Sequence, residues 1–552
     1  MKRHTLRHPG SPLGDSFRWH GMFACAEHSD SLWIRECGHI HLPCSLDANT
    51  LVIEGERFAA DKTVPGHRPI GLEVRIGHRS FGRLFPPVGP FIWRLPLPKE
   101  ATHAPVHIRL RLLGVYRLNT LAWLARIFAG AAFARSWQKY RPQRLNKCLR
   151  IRRLATETET IVDFSARGPT FDTSFVLRRA RIGINLIGWF NAALGVGESV
   201  RCAARAAAAA NIPHALVPLR LYCKAAQVEH EFDERLQAKT PHPVNIVHGD
   251  APQSGDIAPH HGTSFLREKY TIGYWAWELP EFPDTWVQHF AHVQEIWTPS
   301  LFSRDAIAAK SPVPVLVMPH AVELPIPSTT GARTSFGLPE DRFLFLFAYD
   351  LNSYSERKNP AAVVRAFRTA FGRQGRSGVG LVIKVHGIAG NEQAFAALQA
   401  DLAGLEGCTL IAETLPRQRL TLLQATCDAF VSLHRSEGFG LNVAECMFLG
   451  KPVVSTDWSA TAEFVTPENG CPVRASLVEL TTNHGPYSRG QRWAEPDSEH
   501  AAWHMTRLVQ DAALRQRLGA AAAATMRAEF SAARIGARYS ERLRHMALWT
   551  GF

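Results

Sequence analysis

Residues 429–456 read AFVSLHRSEGFGLNVAECMFLGKPVVST. AFVSL has the composition of a buried strand, HRSEGFG of a turn, LNVAECMFLG of a helix and PVVST of a second strand. Strand, turn, helix, strand is the repeating unit of a parallel sheet. Glu437 and Glu445 lie eight positions apart across that turn, with Gly438, Phe439 and Gly440 between them. The glycines permit close backbone approach or positive φ. The helix start near Leu441 and Asn442 offers free N–H groups and a positive dipole end, which suits phosphate. In doubly wound sheets, ligands bind outside the carboxyl ends of the strands. Both carboxylates can therefore flank one ligand, and a nucleotide diphosphate with a polar group at one end fits them.

The same rhythm extends in both directions. Before it come FLFLFAY (343–349), LVIKVHG (381–387) and TLIAE (409–413), most of them separated by helical stretches. Further upstream are RIGINLIGW (181–189), the turn NAALGVGES (191–199) and the helix-forming VRCAARAAAAAN (200–211). VNIVH (244–248), TIGYW (271–275), EIWT (295–298) and VLVMP (315–319) continue that series up to a Pro-rich linker, PHAVELPIP (319–327). Apolar strands alternating with helices predict two doubly wound α/β domains facing a cleft. Residues 1–175 follow a different rule. HIHLPCSL, TLVIEGE, GLEVRIG, FIWRLPL and VHIRLRLL are short alternating runs broken by Pro and Gly, which predicts an all-β sandwich. The expected organisation is 1–175 as a β accessory domain with a basic helical segment, 176–325 and 326–510 as the two α/β domains, and 511–552 as helices packing back.

Composition narrows the partners. The 552 residues are 46% hydrophobic and 20% charged with a net charge of +14, a globular chain whose field favours anions. Basic residues are scattered, with no polybasic tract and no aromatic–basic RNA-binding signature, so nucleic acid is not expected as a partner. The ten cysteines are dispersed without a C-x-x-C pair, which points to reduced thiols in a cytoplasm. Cys37, His39, His41 and Cys44 have a spacing that could ligate zinc, but the alternation reads as one face of a strand. The N-terminal MKRHTLRHPGSPLGDS has no apolar core of a secretory signal. TLAWLARIFAGAAFA (120–134) is interrupted by Arg126 and falls short of the ~20 residues that span a bilayer. The basic segment 120–150 reads either as a linker helix or as a helix lying on a membrane surface, at the inner face of the membrane. Trp19, Trp33 and Trp93 could stack on sugar rings, although tryptophans in strands are more often core.

SEGFGLNVAECMFLGKPVVSTD (436–457) resembles the retaining glycosyltransferases of family 4, which have the GT-B fold of two Rossmann-like domains. GINLIGWFNAALGVGESVR (183–201) is similar to that family's first strand and glycine-rich loop. GYWAWELPEFPDTW (273–286) and EIWTPSLFSRDAI (295–307) resemble a subgroup acting in cell-surface polysaccharide assembly. FAYDLNSYSERKNPAAVVRAF (347–367) resembles the stretch bearing the phosphate-binding cation. The likeness covers about 180 to 510 and does not reach the first ~175 residues.

The resemblance implies retaining transfer of a hexose, with mannose as the first guess, from a nucleotide-diphosphate sugar to a glycan or lipid-linked acceptor. It implies no cofactor and no metal, and no Asp-x-Asp follows a strand as a metal-dependent transferase would need. By resemblance Glu437 hydrogen-bonds the donor sugar, Glu445 takes the ribose hydroxyls, and Lys358 meets the diphosphate. His248, at the end of VNIVH, would contact the donor sugar as the bond breaks. The family's usual arginine five positions before the lysine is Ser353 here, so Arg357 or Arg435 must supply a second cation. Gly195 and Gly197 would let the first loop approach the diphosphate and acceptor. Glu198, Trp275, Trp277 and Glu278 would face the acceptor side, with core packing the plainer reading of the two tryptophans. Two other functions fit the same pattern less well: an inactive glycan-binding scaffold with this fold, and a sugar-nucleotide epimerase.

Overall fold

The alternating runs near the N-terminus form antiparallel strands, and the apolar runs after residue 183 form parallel ones. The computed structural model describes residues 19–25, 28–42, 46, 48–57, 71–76, 79–97, 106–113, 149–163, 170–171, 182–262, 265–267, 269–372 and 378–550. The chain forms two units, residues 1–182 with 541–552, and residues 183–540.

In the first unit the strands are β1 (Trp19–Cys25), β2 (His28–Leu42), β3 (Thr50–Arg57), β4 (Gly71–Ile76), β5 (Arg79–Leu84), β6 (Gly89–Pro96), β7 (Val106–Leu113), β8 (Leu149–Ala155), β9 (Thr160–Asp163) and β10 (Thr170–Phe171). They run β10-β9-β8-β2-β7-β4-β5, with β1 on β2, and β3 between β6 and β8. In β7, Val106, Ile108, Leu110 and Leu112 are buried while their neighbours are not, the period of two that marks a half-buried strand. Trp93 is half-buried beside Gly82, where an added Cβ would lie 2.9 Å from the indole. The side chains of Trp19, Trp33, Cys37, His39 and His41, and the whole of Cys44, fall outside the described residues. So does the basic segment up to residue 148; its last two residues open β8. Among the described residues no group of His, Cys, Asp or Glu could hold a metal ion, and no helix is long and apolar enough to cross a membrane.

The second unit holds two parallel sheets. The first contains β11 (Ile184–Gly188), β12 (His214–Pro218), β13 (Val244–His248), β14 (Tyr270–Tyr274), β15 (Glu295–Thr298) and β16 (Val315–Val317), in the order β12-β11-β13-β14-β15-β16. The second contains β17 (Phe343–Asp350), β18 (Val379–His386), β19 (Cys408–Ala412), β20 (Ala429–Ser432), β21 (Val453–Thr456) and β22 (Cys471–Val473), in the order β19-β18-β17-β20-β21-β22. In β17, Phe345 and Phe347 pack on one face with Val363 and Phe367, and Leu344 and Leu346 pack on the other with Val443 and Met447. Helices cover both faces, so the strand reads as one apolar run. A two-stranded hairpin, β23 (Ala475–Glu479) with β24 (Arg492–Pro496), follows β22.

The chain then returns through three helices, Ser498–Gln510, Ala512–Phe530 and Ala532–Thr550. Met505 and Leu518 join the core of the second sheet, and Tyr539 packs on Trp297 of the first at 4.7 Å between ring centres.

Candidate active site

Between the two sheets of the second unit lies a cleft of about 850 Å³, lined from both sides. On one side α1 (Gly195–Ala209) starts after β11, and on the other α2 (Leu441–Phe448) starts after β20. Gly440 caps α2 at φ +96°, and a Cβ there would come within 2.5 Å of Thr461 Cγ2, so both conformation and space require glycine. Gly438, Phe439, Gly440, Leu441 and Asn442 all line the cleft. Asn442 donates from Nδ2 to the Ala348 carbonyl at 3.1 Å, which ties the helix start to β17.

Glu437 is at the centre of an ion cluster and 8% exposed. Lys358 Nζ lies 2.5 Å from its Oε1 and Arg357 Nη1 lies 3.1 Å from its Oε2. Burial pushes the Glu437 carboxyl up, but Lys358 and Arg357 outweigh it and bring it down to about 2. Arg357 also donates to the Ser436 carbonyl at 2.9 Å and approaches Glu278 at 3.6 Å. The Glu437 N–H donates to Ser459 Oγ at 2.9 Å. Tyr354, Asn359 and Ser459, all around this cluster, have φ of +65°, +57° and +62°. Left-handed backbone at non-glycine residues costs free energy and tends to gather where geometry is imposed by function.

A second cluster joins the two halves of the cleft. Glu198 receives Arg201 Nε at 2.8 Å and Arg205 Nη1 at 2.9 Å, with Arg417 Nε at 3.9 Å. Arg417 reaches Glu445 Oε1 at 2.5 Å, and Gln424 Nε2 donates to Glu445 Oε2 at 2.8 Å. Glu445 is 2% exposed and Glu198 is 4% exposed. The Arg417 N–H donates to Glu229 Oε1 at 2.9 Å, a second tie to the first domain.

The structure separates several of the residues singled out from sequence. Glu437, Lys358, Arg357, Glu445, Gly195, Glu198, Trp277 and Glu278 line the cleft together with the α2 start. Arg435 does not: its guanidinium is held by Glu495 at 2.7 Å and donates to the Glu356 carbonyl at 2.6 Å. Gly197 packs instead of lining, because a Cβ there would meet the Ala192 carbonyl oxygen at 2.5 Å. Trp275 is core, 1% exposed, with its Nε1 donating to Ser254 Oγ at 3.1 Å. Trp277 touches the cleft from the same aromatic core, its Nε1 donating to the Glu281 carbonyl at 2.8 Å.

His248 is fully buried, stacked on Tyr274 at 4.4 Å, with Nδ1 2.7 Å from Ser199 Oγ. Burial holds its pKa well below the usual value for histidine, so the ring is neutral at neutral pH. The next two residues, Gly249 and Asp250, line the cleft.

Other cleft residues were not singled out from sequence. Tyr487 comes from the loop between β23 and β24 and donates to Glu278 Oε2 at 3.2 Å, with Arg357 over its ring at 5.8 Å. Nothing in that polar, Gly-rich loop announces it. Arg417 sits in an ordinary basic stretch, PRQRL. Lys384 carried a signal: a lysine in the middle of an apolar strand, LVIKVHG.

Residues 330–525 match the family model described as glycosyl transferases group 1. No curated protein sequence matches the chain. Among solved structures, the chain is similar to sucrose-phosphate synthase from Thermosynechococcus elongatus, at 15% identity and a TM-score of 0.50, over 66% of this chain and 99% of that one. It also matches Anabaena Alr3699/HepE in complex with UDP and glucose, at 15% identity and a TM-score of 0.48, with the same coverage. The fold of residues 183–540 is GT-B, and the match to the group 1 glycosyl transferase model falls within its second half.

Proposed function

We propose that this chain is a retaining, metal-independent glycosyltransferase. It moves a hexose from a nucleoside-diphosphate sugar to a glycan or lipid-linked acceptor in cell-surface polysaccharide assembly, with mannose the first donor to try. The observation that carries this reading is the placement of Glu437, Lys358 and Arg357 beside the α2 start, on the cleft between the two domains. In transfer, the bond from the sugar to the diphosphate breaks, the acceptor oxygen bonds to the sugar carbon, and the acceptor proton ends on the diphosphate. That leaving group is already anionic and stable, so charge stabilisation matters more than protonation. Lys358 and the free N–H groups of α2 supply it. Glu437 takes the sugar hydroxyls, and Glu445 takes the ribose beside Arg417 and Gln424.

The test is nucleotide release from a panel of sugar nucleotides, with and without acceptor, and the anomeric configuration of the product by NMR. An inverted product removes the retaining mechanism, and no release from any donor removes the transferase reading. Transfer is expected to survive EDTA unchanged, because protein cations meet the diphosphate charge. Complete loss, restored by Mg²⁺ or Mn²⁺, counts against this account. Lys358→Ala is expected to weaken nucleoside-diphosphate binding and slow transfer together, since its charge is needed before and during bond breaking. Unchanged diphosphate affinity by calorimetry shows that another cation holds the phosphates.

A further inference from the structure

The cleft is lined by Arg201, Lys224, Arg357, Lys358, Lys384 and Arg417. Arg201 is held by Glu198, Arg357 and Lys358 by Glu437, and Arg417 by Glu445. Lys224 is exposed at the surface. Lys384 differs from all of these: it is 2% exposed, and among the described residues no carboxylate lies within ion-pair distance of it. Its Nζ is 2.8 Å from His386 Nδ1, and His386 Nε2 is 3.3 Å from the Ala193 carbonyl oxygen and 3.7 Å from Asp350 Oδ2. An ammonium only donates and a carbonyl only accepts, so His386 is the neutral tautomer with its proton on Nε2. The imidazole therefore orients the ammonium without neutralising it. Asp350 and Glu413 face Lys384 from farther off, and burial outweighs them, bringing its pKa down to about 8.

Position says what the group is for. Lys384 pairs in register with Ala348 of β17, so the two side chains share a face of the sheet. Ala348 packs on that face with Val443 and Ala444 of α2, and its carbonyl holds Asn442. The ammonium thus sits on the face of the sheet that carries the anion-favouring end of α2. An under-satisfied buried ammonium is unfavourable by itself and becomes favourable when an anion arrives.

We propose that Lys384 is a further phosphoryl-binding cation of the cleft, doing what an arginine at Ser353 would do, with His386 as its positioning residue. The ligand class is a nucleoside diphosphate, and the inference rests on the transferase reading above. The experiment is calorimetric titration of the full chain with UDP and GDP, and with uridine and guanosine as phosphate-free controls. Lys384→Met is expected to weaken diphosphate binding about 10- to 100-fold, the scale of one charge-assisted hydrogen bond, and to leave nucleoside binding unchanged. Lys384→Arg should restore most of the loss. His386→Ala should lose part of the diphosphate affinity, and it carries the test if Lys384→Met does not fold. Wild-type affinity for diphosphate in a folded Lys384→Met overturns the inference and leaves the transferase reading standing. So does an equal loss for nucleoside and diphosphate, which marks a structural role. If Lys384→Met binds diphosphate normally but loses only transfer to a phosphate-bearing acceptor, the cation serves the acceptor and the inference falls. If wild type binds neither UDP nor GDP, the transferase reading fails and takes this inference with it.

Discussion

Glu437→Gln is expected to lose transfer by at least ~10²-fold while nucleoside-diphosphate affinity stays equal or rises, a split that few other residues of the cleft should give. The Glu437 carboxylate is the counter-charge of both Lys358 and Arg357. A diphosphate entering the cleft must compete with it for those cations. The glutamine keeps the shape and removes the competition, so the ground state gains cationic character. The transition state loses the anionic group that would accept hydroxyl protons of the sugar and balance positive charge developing at its reacting carbon. Steady-state transfer rates and calorimetry on the same preparation separate the two effects. Activity within a few-fold of wild type removes Glu437 from the chemistry. A loss of diphosphate affinity parallel to the loss of rate means that the carboxylate only keeps the cations in place.

The fold was legible where the physics is local. β17, β20 and β21 are covered on both faces and therefore read as apolar runs, and the turn before α2 declares itself through Gly438 and Gly440. β12 and β22 carry Pro218 and Pro472 and leave no such run. The β23–β24 hairpin is mostly exposed, so its pattern says little about burial. The site was legible in part for the same reason. Sequence can place Glu437 and Lys358 at strand ends of one sheet, and the side chains do meet there. It cannot say which of two neighbouring basic residues turns inward. Arg357 turns to Glu437, whereas Arg435 is drawn away by Glu495 and stacks 5.2 Å from the Trp493 ring. Glu198 and Arg417 stand 219 positions apart, and no local pattern encodes such a pairing. The N-terminal unit is outside the resemblance altogether, and there alternation alone identified strands.

Glu198→Gln is expected to lower the stability of the chain by about 3 to 5 kcal/mol, the usual cost of removing one partner of a buried ion pair. Sequence placed Glu198 on the acceptor side of the cleft, where it would touch substrate. Its oxygens are committed instead to Arg201 and Arg205, with Arg417 beyond, and Arg201 is itself 2% exposed. Burial pushes the Glu198 carboxyl up, but Arg417, Arg205 and Arg201 together hold it far below the normal carboxylate range. A group whose folded pKa is depressed stabilises the fold above its unfolded pKa, about 4.3 for glutamate, and loses that contribution as pH falls toward the folded value. The wild-type chain should therefore lose stability below about pH 4.3, and Glu198→Gln should lose less over the same interval because part of the loss is already built in. Denaturant unfolding at pH 7 and at pH 4 measures both. The glutamine cannot neutralise three guanidinium groups, so the arginines must take up water or separate. Because Arg417 also holds Glu445 and Glu229, that disturbance reaches both sides of the cleft. Unfolding midpoints that match wild type at both pH values show that the cluster is solvated enough to do without its carboxylate, and free Glu198 for a direct role with the acceptor.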